Sequence, residues 1–213
     1  YSYTYPEFQV LNHHWGSGLL FYWAWNIGGF VGVQLFFILL SMCALFVFYR
    51  TALLSAPAWI VALSALQFIP LLAERTEVRP EVFSVLFAGV FYFLLKKLTL
   101  ETTLRKNLLF VAIVLIQVLW TNTHIYFILG PLIIGAFLVE ALAYRTHDTV
   151  RIFYLLVATT LATLVNPFGY KALTSVVTIF QNYGYTLAEN QSVLFLQRLG
   201  LSSPNFFFFT LAL

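Results

Sequence analysis

The chain is built of long apolar runs, with its polar side chains gathered in the short stretches between them. An α-helix rises about 1.5 Å per residue, so about 20 apolar residues cross the roughly 30 Å of hydrocarbon in a bilayer. Gly29 to Tyr49 meets that length, as does Ala52 to Leu72, which carries Pro57 in its first turns and Pro70 near its exit. Val82 to Leu95 is short, but Lys96 and Lys97 can snorkel and let the helix run on to Leu100. Asn107 to Trp120, Ile125 to Tyr144 and Ile152 to Val165 follow, and a seventh run opens near Phe206. The runs are continuous rather than alternating, and too long for barrel strands of about 10 residues. The expectation is an all-α, polytopic integral membrane protein with six complete transmembrane helices and the start of a seventh.

Composition narrows the class further. Hydrophobic residues make up 61% of the chain and charged residues 9%, against roughly half and about a quarter in a globular domain. The basic residues are scattered, and none of them form a cluster interleaved with aromatics, so nucleic acid is excluded as a partner. The lone Cys43 excludes an intrachain disulfide and a cysteine metal cage. The chain starts at Tyr1 and stops within an apolar run. Residues 1–213 are therefore expected to be a single transmembrane domain truncated at both ends.

Orientation follows from the basic residues. Alternating helices put Arg50, Lys96, Lys97, Arg105, Lys106, Arg145 and Arg151 on one face, and Arg75, Arg79, Lys171 and Arg198 on the other. The first face is expected to be cytoplasmic and the second outer. On the outer side lie residues 1–28 and 166–205. Trp15, Trp23 and Trp25 mark residues 15–28 as an interfacial helix, and residues 170–180 are expected to lie the same way.

The polar clusters fall on that outer face. His13 and His14 are adjacent and make a poor two-ligand metal site alone, but either can bind phosphate or exchange a proton near neutral pH; the alternative is a pair of solvated interfacial histidines. Arg75 and Arg79 have the side chain best shaped to grip phosphate oxygens, unless they pair with Glu74, Glu77 and Glu81 in a self-neutralised loop. In Trp120-Thr121-Asn122-Thr123-His124, Trp120 reads as a membrane-belt residue. His124 heads a span where Ser or Asn would cap at lower desolvation cost, which points to a site role for it and Asn122. Asn166-Pro167-Phe168-Gly169 reads first as a helix stop and turn. Glu189 is either a general base or metal ligand, or a solvated loop acid; Asn190-Gln191-Ser192 also spells a glycosylation acceptor. Gln34, Gln67 and Gln117 suit helix-to-helix hydrogen bonds within the spans.

The order of Tyr1-Ser2-Tyr3-Thr4, Asn12-His13-His14-Trp15, Arg79-Pro80-Glu81-Val82-Phe83-Ser84, Trp120 to Gly130, Asn166-Pro167-Phe168-Gly169 and Glu189-Asn190-Gln191-Ser192 resembles a family of bacterial polytopic membrane proteins related to GT-C-type glycosyltransferases. The resemblance implies an enzyme of the inner (plasma) membrane, active on its outer face. Such an enzyme moves a sugar from a polyprenyl-phosphate-linked donor to a glycan, lipid or protein acceptor. It also implies an acidic base or metal ligand in the first outer loop, with a divalent cation such as Mg or Mn as possible cofactor. Glu7 is the acid visible there, and the relatives carry Glu where this chain has His14. The expected roles are Glu189, Glu7 and His14 in catalysis, and Arg79, His124, Asn122, His13, Arg75, Asn166 and Trp120 around the substrate. Two other readings remain open: an O-antigen-ligase-like transferase using a lipid pyrophosphate without metal, and a non-enzymatic lipid or glycan transporter.

Overall fold

A computed structural model describes residues 11–73, 77–178 and 193–200. The described residues are helical, with no strand among them. The elements are α1 (Trp15–Ala52), α2 (Ala58–Ala73), α3 (Glu81–Leu100), α4 (Thr103–Thr123), a 3-10 turn (Ile125–Ile128), α5 (Leu129–Ala143), α6 (Thr149–Ala162), α7 (Lys171–Thr178) and α8 (Val193–Arg198). Four helical stretches are long and apolar enough to cross a membrane: α1, α3, α4 and Ile125–Ala143. The apolar helices α2 and α6 are shorter, at 16 and 14 residues. The run near Phe206 lies outside the described residues.

What the helices leave uncovered supports a lipid environment. On α4, Leu104, Leu108, Val111, Leu115 and Leu119 recur every three or four residues and are all more than half exposed. On α1, Leu35, Leu39, Met42 and Phe46 form a second such stripe. Apolar bands of that length would drive aggregation in water and cost nothing against acyl chains. The core lies between α3, α4, α5 and α6, around Phe91, Leu95, Ile113, Phe127, Ile134 and Leu155.

The element α1 is two helices joined at a break. Gly28 and Gly29 have non-helical torsions, and Gly29 sits at φ 57°, a left-handed conformation that favours glycine. In a straight helix Phe21 and Phe36 would stand about 22 Å apart along the axis, yet their ring centroids are 5.8 Å apart. Residues 15–27 therefore fold back against residues 30–52. Gly32 lets the two approach, because a Cβ there would collide with the Ala24 carbonyl oxygen. Phe83 at the start of α3 packs on both Phe21 and Phe36. The sequence break at Gly28-Gly29 is found where expected.

Hydrogen bonds define the two ends of the bundle. Lys106 to Asp148 joins the starts of α4 and α6. At the other end, Trp15 bonds Asn122, Ser84 bonds His124, and Asn122 bonds the Val165 carbonyl. That second end brings together the start of α1, the start of α3, the end of α4 and the end of α6.

Candidate functional site

Three histidines meet at this end, although 110 residues separate His14 from His124. The His14 and His124 rings stack with centroids 4.9 Å apart, and His13 meets His14 edge-on at 4.4 Å. The close approach depends on Gly16, where a Cβ would run into the Asn122 carbonyl oxygen. Trp15 then donates its indole N–H to Asn122 Oδ1 at 3.2 Å.

Behind the rings lies a buried polar chain. Trp120 is fully buried against Phe87 and Phe91 and donates its indole N–H to Ser84 Oγ at 2.8 Å. With that oxygen accepting from Trp120, the Ser84 hydroxyl hydrogen is available for His124 Nδ1, 2.7 Å away. The Tyr126 backbone N–H also points at Nδ1, at 3.4 Å. Two donors on Nδ1 make it the acceptor nitrogen, so neutral His124 carries its proton on Nε2. Trp120 is thus no belt residue: it shapes the site from within the core, where a large ring finds more packing than at a lipid surface.

The rings are held neutral. Burial pushes His124 down to about 3, with His14 and then His13 adding to the effect, because protonating one ring beside others in a desolvated cluster is costly. Burial likewise pushes His14 down to about 4, reinforced by His13 and opposed by a hydrogen bond to the Thr123 backbone. His13 is lowered by burial, against a bond to the Leu11 backbone. The Nδ1 atoms of His13 and His14 are buried without a hydrogen-bond partner.

The remaining expected residues divide. Asn122 gives both amide hydrogens to backbone, on Val118 and Val165, and Asn166 gives both of its own to Thr163 and Gly169. Neither has an amide hydrogen left for a sugar; each holds a turn, as the helix-stop reading of Asn166 anticipates. Arg79 forms a salt bridge with Glu77, the self-neutralised arrangement, and stands five residues before Ser84. Glu7, Arg75 and Glu189 lie outside the described residues. No group of three His, Cys, Asp or Glu among the described residues is arranged to hold a metal ion. Ser84 was not singled out by the sequence, where a serine one turn into an apolar span carries little signal.

No protein-family model, no curated protein and no solved structure matches the chain. The residues themselves carry the functional argument.

Proposed function

We propose that the histidine end is the outer, substrate-facing end of an integral membrane glycosyltransferase of the GT-C type. In this reading α2 and α6 complete six spans, and residues 15–27 lie at the interface. The observation that carries the proposal is the convergence of His13, His14 and His124, from two distant stretches of sequence, at one end of a lipid-facing helical bundle. A polyprenyl-phosphate-linked sugar approaches from the lipid with its phosphate toward Arg79 and the His124 Nε2–H. The acceptor oxygen bonds to the anomeric carbon as the bond to the phosphate oxygen breaks, and polyprenyl phosphate leaves with the electron pair. The acceptor proton passes to the His14 ring or to a carboxylate, for which Glu189 and Glu7 are the candidates. A neutral imidazole held near 4 is a weak base alone, but a phosphate anion beside it raises its affinity for a proton. Donor binding would therefore switch the base on. Asn122 and Asn166 position the backbone around this end rather than touching the sugar.

The test is sugar transfer from a polyprenyl-phosphate-linked donor, measured in membranes holding the full-length protein. Arg79→Ala is expected to abolish transfer while the protein remains inserted, and unchanged transfer would remove Arg79 from the site. Three imidazoles at this end also favour a ligase-like transferase acting on a lipid pyrophosphate without metal. Transfer that survives chelation would support that second reading.

A further inference from the structure

The opposite end of the bundle holds a cavity of about 550 Å³ between α4 and α6. Its walls change character with depth. Asn107, His147 and Arg151 stand at the level where the two helices begin, and Phe110, Val111 and Tyr154 follow one turn further in. A polar rim above an apolar wall matches a glycerophospholipid, whose phosphate sits above its acyl chains.

The charges at the rim do not cancel. Lys106 Nζ lies 2.5 Å from Asp148 Oδ2, and Arg151 Nη1 lies 3.3 Å from Asp148 Oδ1, so two cations share one carboxylate. Arg151 has five N–H donors, and among the described residues its hydrogen bond is that to Asp148. The rest of the guanidinium fork, beside the cavity, is suited to two phosphate oxygens at once. The apolar side is open to the surroundings, with Val111, Val150 and Tyr154 each more than half exposed. A ligand can therefore enter sideways from the acyl layer. Asn107 is 15 residues from Asn122 along α4, about 22 Å, so this groove is separate from the histidine end.

We propose that the α4–α6 groove binds the phosphodiester of an anionic phospholipid, with Arg151 on the phosphate and Val111 and Tyr154 against the first acyl carbons. The chemistry recognised is a phosphate ester, and the hydrophobic lower wall assigns it to a lipid rather than to a soluble ester.

The full-length protein in detergent, titrated with phosphatidylglycerol or phosphatidylcholine and followed by native mass spectrometry, tests this. Phosphatidylglycerol is expected to be retained preferentially. Arg151→Gln should weaken it about tenfold, the equivalent of one charged contact. Val111→Trp fills the groove without altering charge and should weaken it comparably, which keeps the test open if the arginine variant fails to fold. Arg145→Gln, an exposed cation outside the cavity lining, should leave binding unchanged. Equal loss in Arg145→Gln, or no loss in Arg151→Gln and Val111→Trp, would show diffuse charge attraction and overturn the site. Glycerol 1-phosphate competing as strongly as the lipid would overturn the lipid assignment.

Discussion

The two ends of this bundle solve the problem of polar residues in an apolar protein in opposite ways. At the α4–α6 end, opposite charges pair: Lys106 and Arg151 share the Asp148 carboxylate in a partly buried cluster, and the surplus positive charge lies beside the groove. At the histidine end, His124 is buried, His13 and His14 are half-buried, all three are held neutral, and hydrogen bonds from Ser84, Trp120 and the backbone fix the geometry. Ion pairs near water are weak and adjustable, whereas a buried network is costly to disturb because each orphaned partner keeps its full desolvation penalty. The difference teaches that the number of charged residues is a poor guide to where a membrane protein is rigid. The end with fewer formal charges is the more tightly specified one.

Substitutions should separate the two ends in order of size. Trp120→Ala removes the largest fully buried side chain among the described residues and the indole donor to Ser84; thermal unfolding in detergent should show a loss near the low end of about 3–5 kcal/mol, since lipid replaces part of the lost burial. Gly16→Val drives a side chain into the Asn122 carbonyl and should cost about 1–3 kcal/mol. It should also separate the His14 and His124 rings, visible as changed imidazole NMR shifts; unchanged shifts would disprove the close approach. Ser84→Ala leaves the Trp120 indole N–H without its acceptor at a cost of about 1–3 kcal/mol. With one donor to Nδ1 gone, the His124 ring nitrogens should show mixed tautomers in place of a single Nε2–H form. Asp148→Asn keeps a carbonyl acceptor between Lys106 and Arg151 but removes the charge they share at a site only about 15% exposed, and should cost about 1–3 kcal/mol. If it matched Trp120→Ala, the contrast between the two ends would collapse.

Acid should also distinguish them. His14 and His124 bind protons in the folded protein only near 4 and 3, whereas in the unfolded chain they do so near 6.5. Between those limits the unfolded state holds more protons, so stability is full above about pH 6.5 and declines as the pH falls toward 4. The melting temperature should drop by several degrees from pH 7.5 to pH 5, and His14→Phe should flatten that slope. A slope unchanged in His14→Phe would place the acid sensitivity elsewhere.

Particular residues show what could be read in advance. The apolar runs were visible because a bilayer demands uninterrupted hydrophobic length, and Gly28-Gly29 marked its break because few other residues accept that backbone. His124 was conspicuous as a costly residue at a helix boundary; that its Nδ1 also caps the following turn was not. Trp120 looked like an interfacial aromatic, since nothing local distinguishes a belt tryptophan from a buried one. For Arg79 the sequence left phosphate binding and pairing with a loop acid both open, and only the geometry of its loop shows the pair with Glu77.

By itself the sequence determined the environment and the secondary structure, because hydrophobic length and helix-breaking glycines act locally along the chain. The tertiary structure decided which polar residues meet. Whether His14 touches His124, whether Ser84 lies under both Trp120 and His124, and whether Arg151 faces a groove all depend on how helices far apart in sequence pack and rotate against one another. Those choices are fixed by the fit of side chains such as Gly16, Phe83 and Phe91 across several helices at once, and no single segment encodes them.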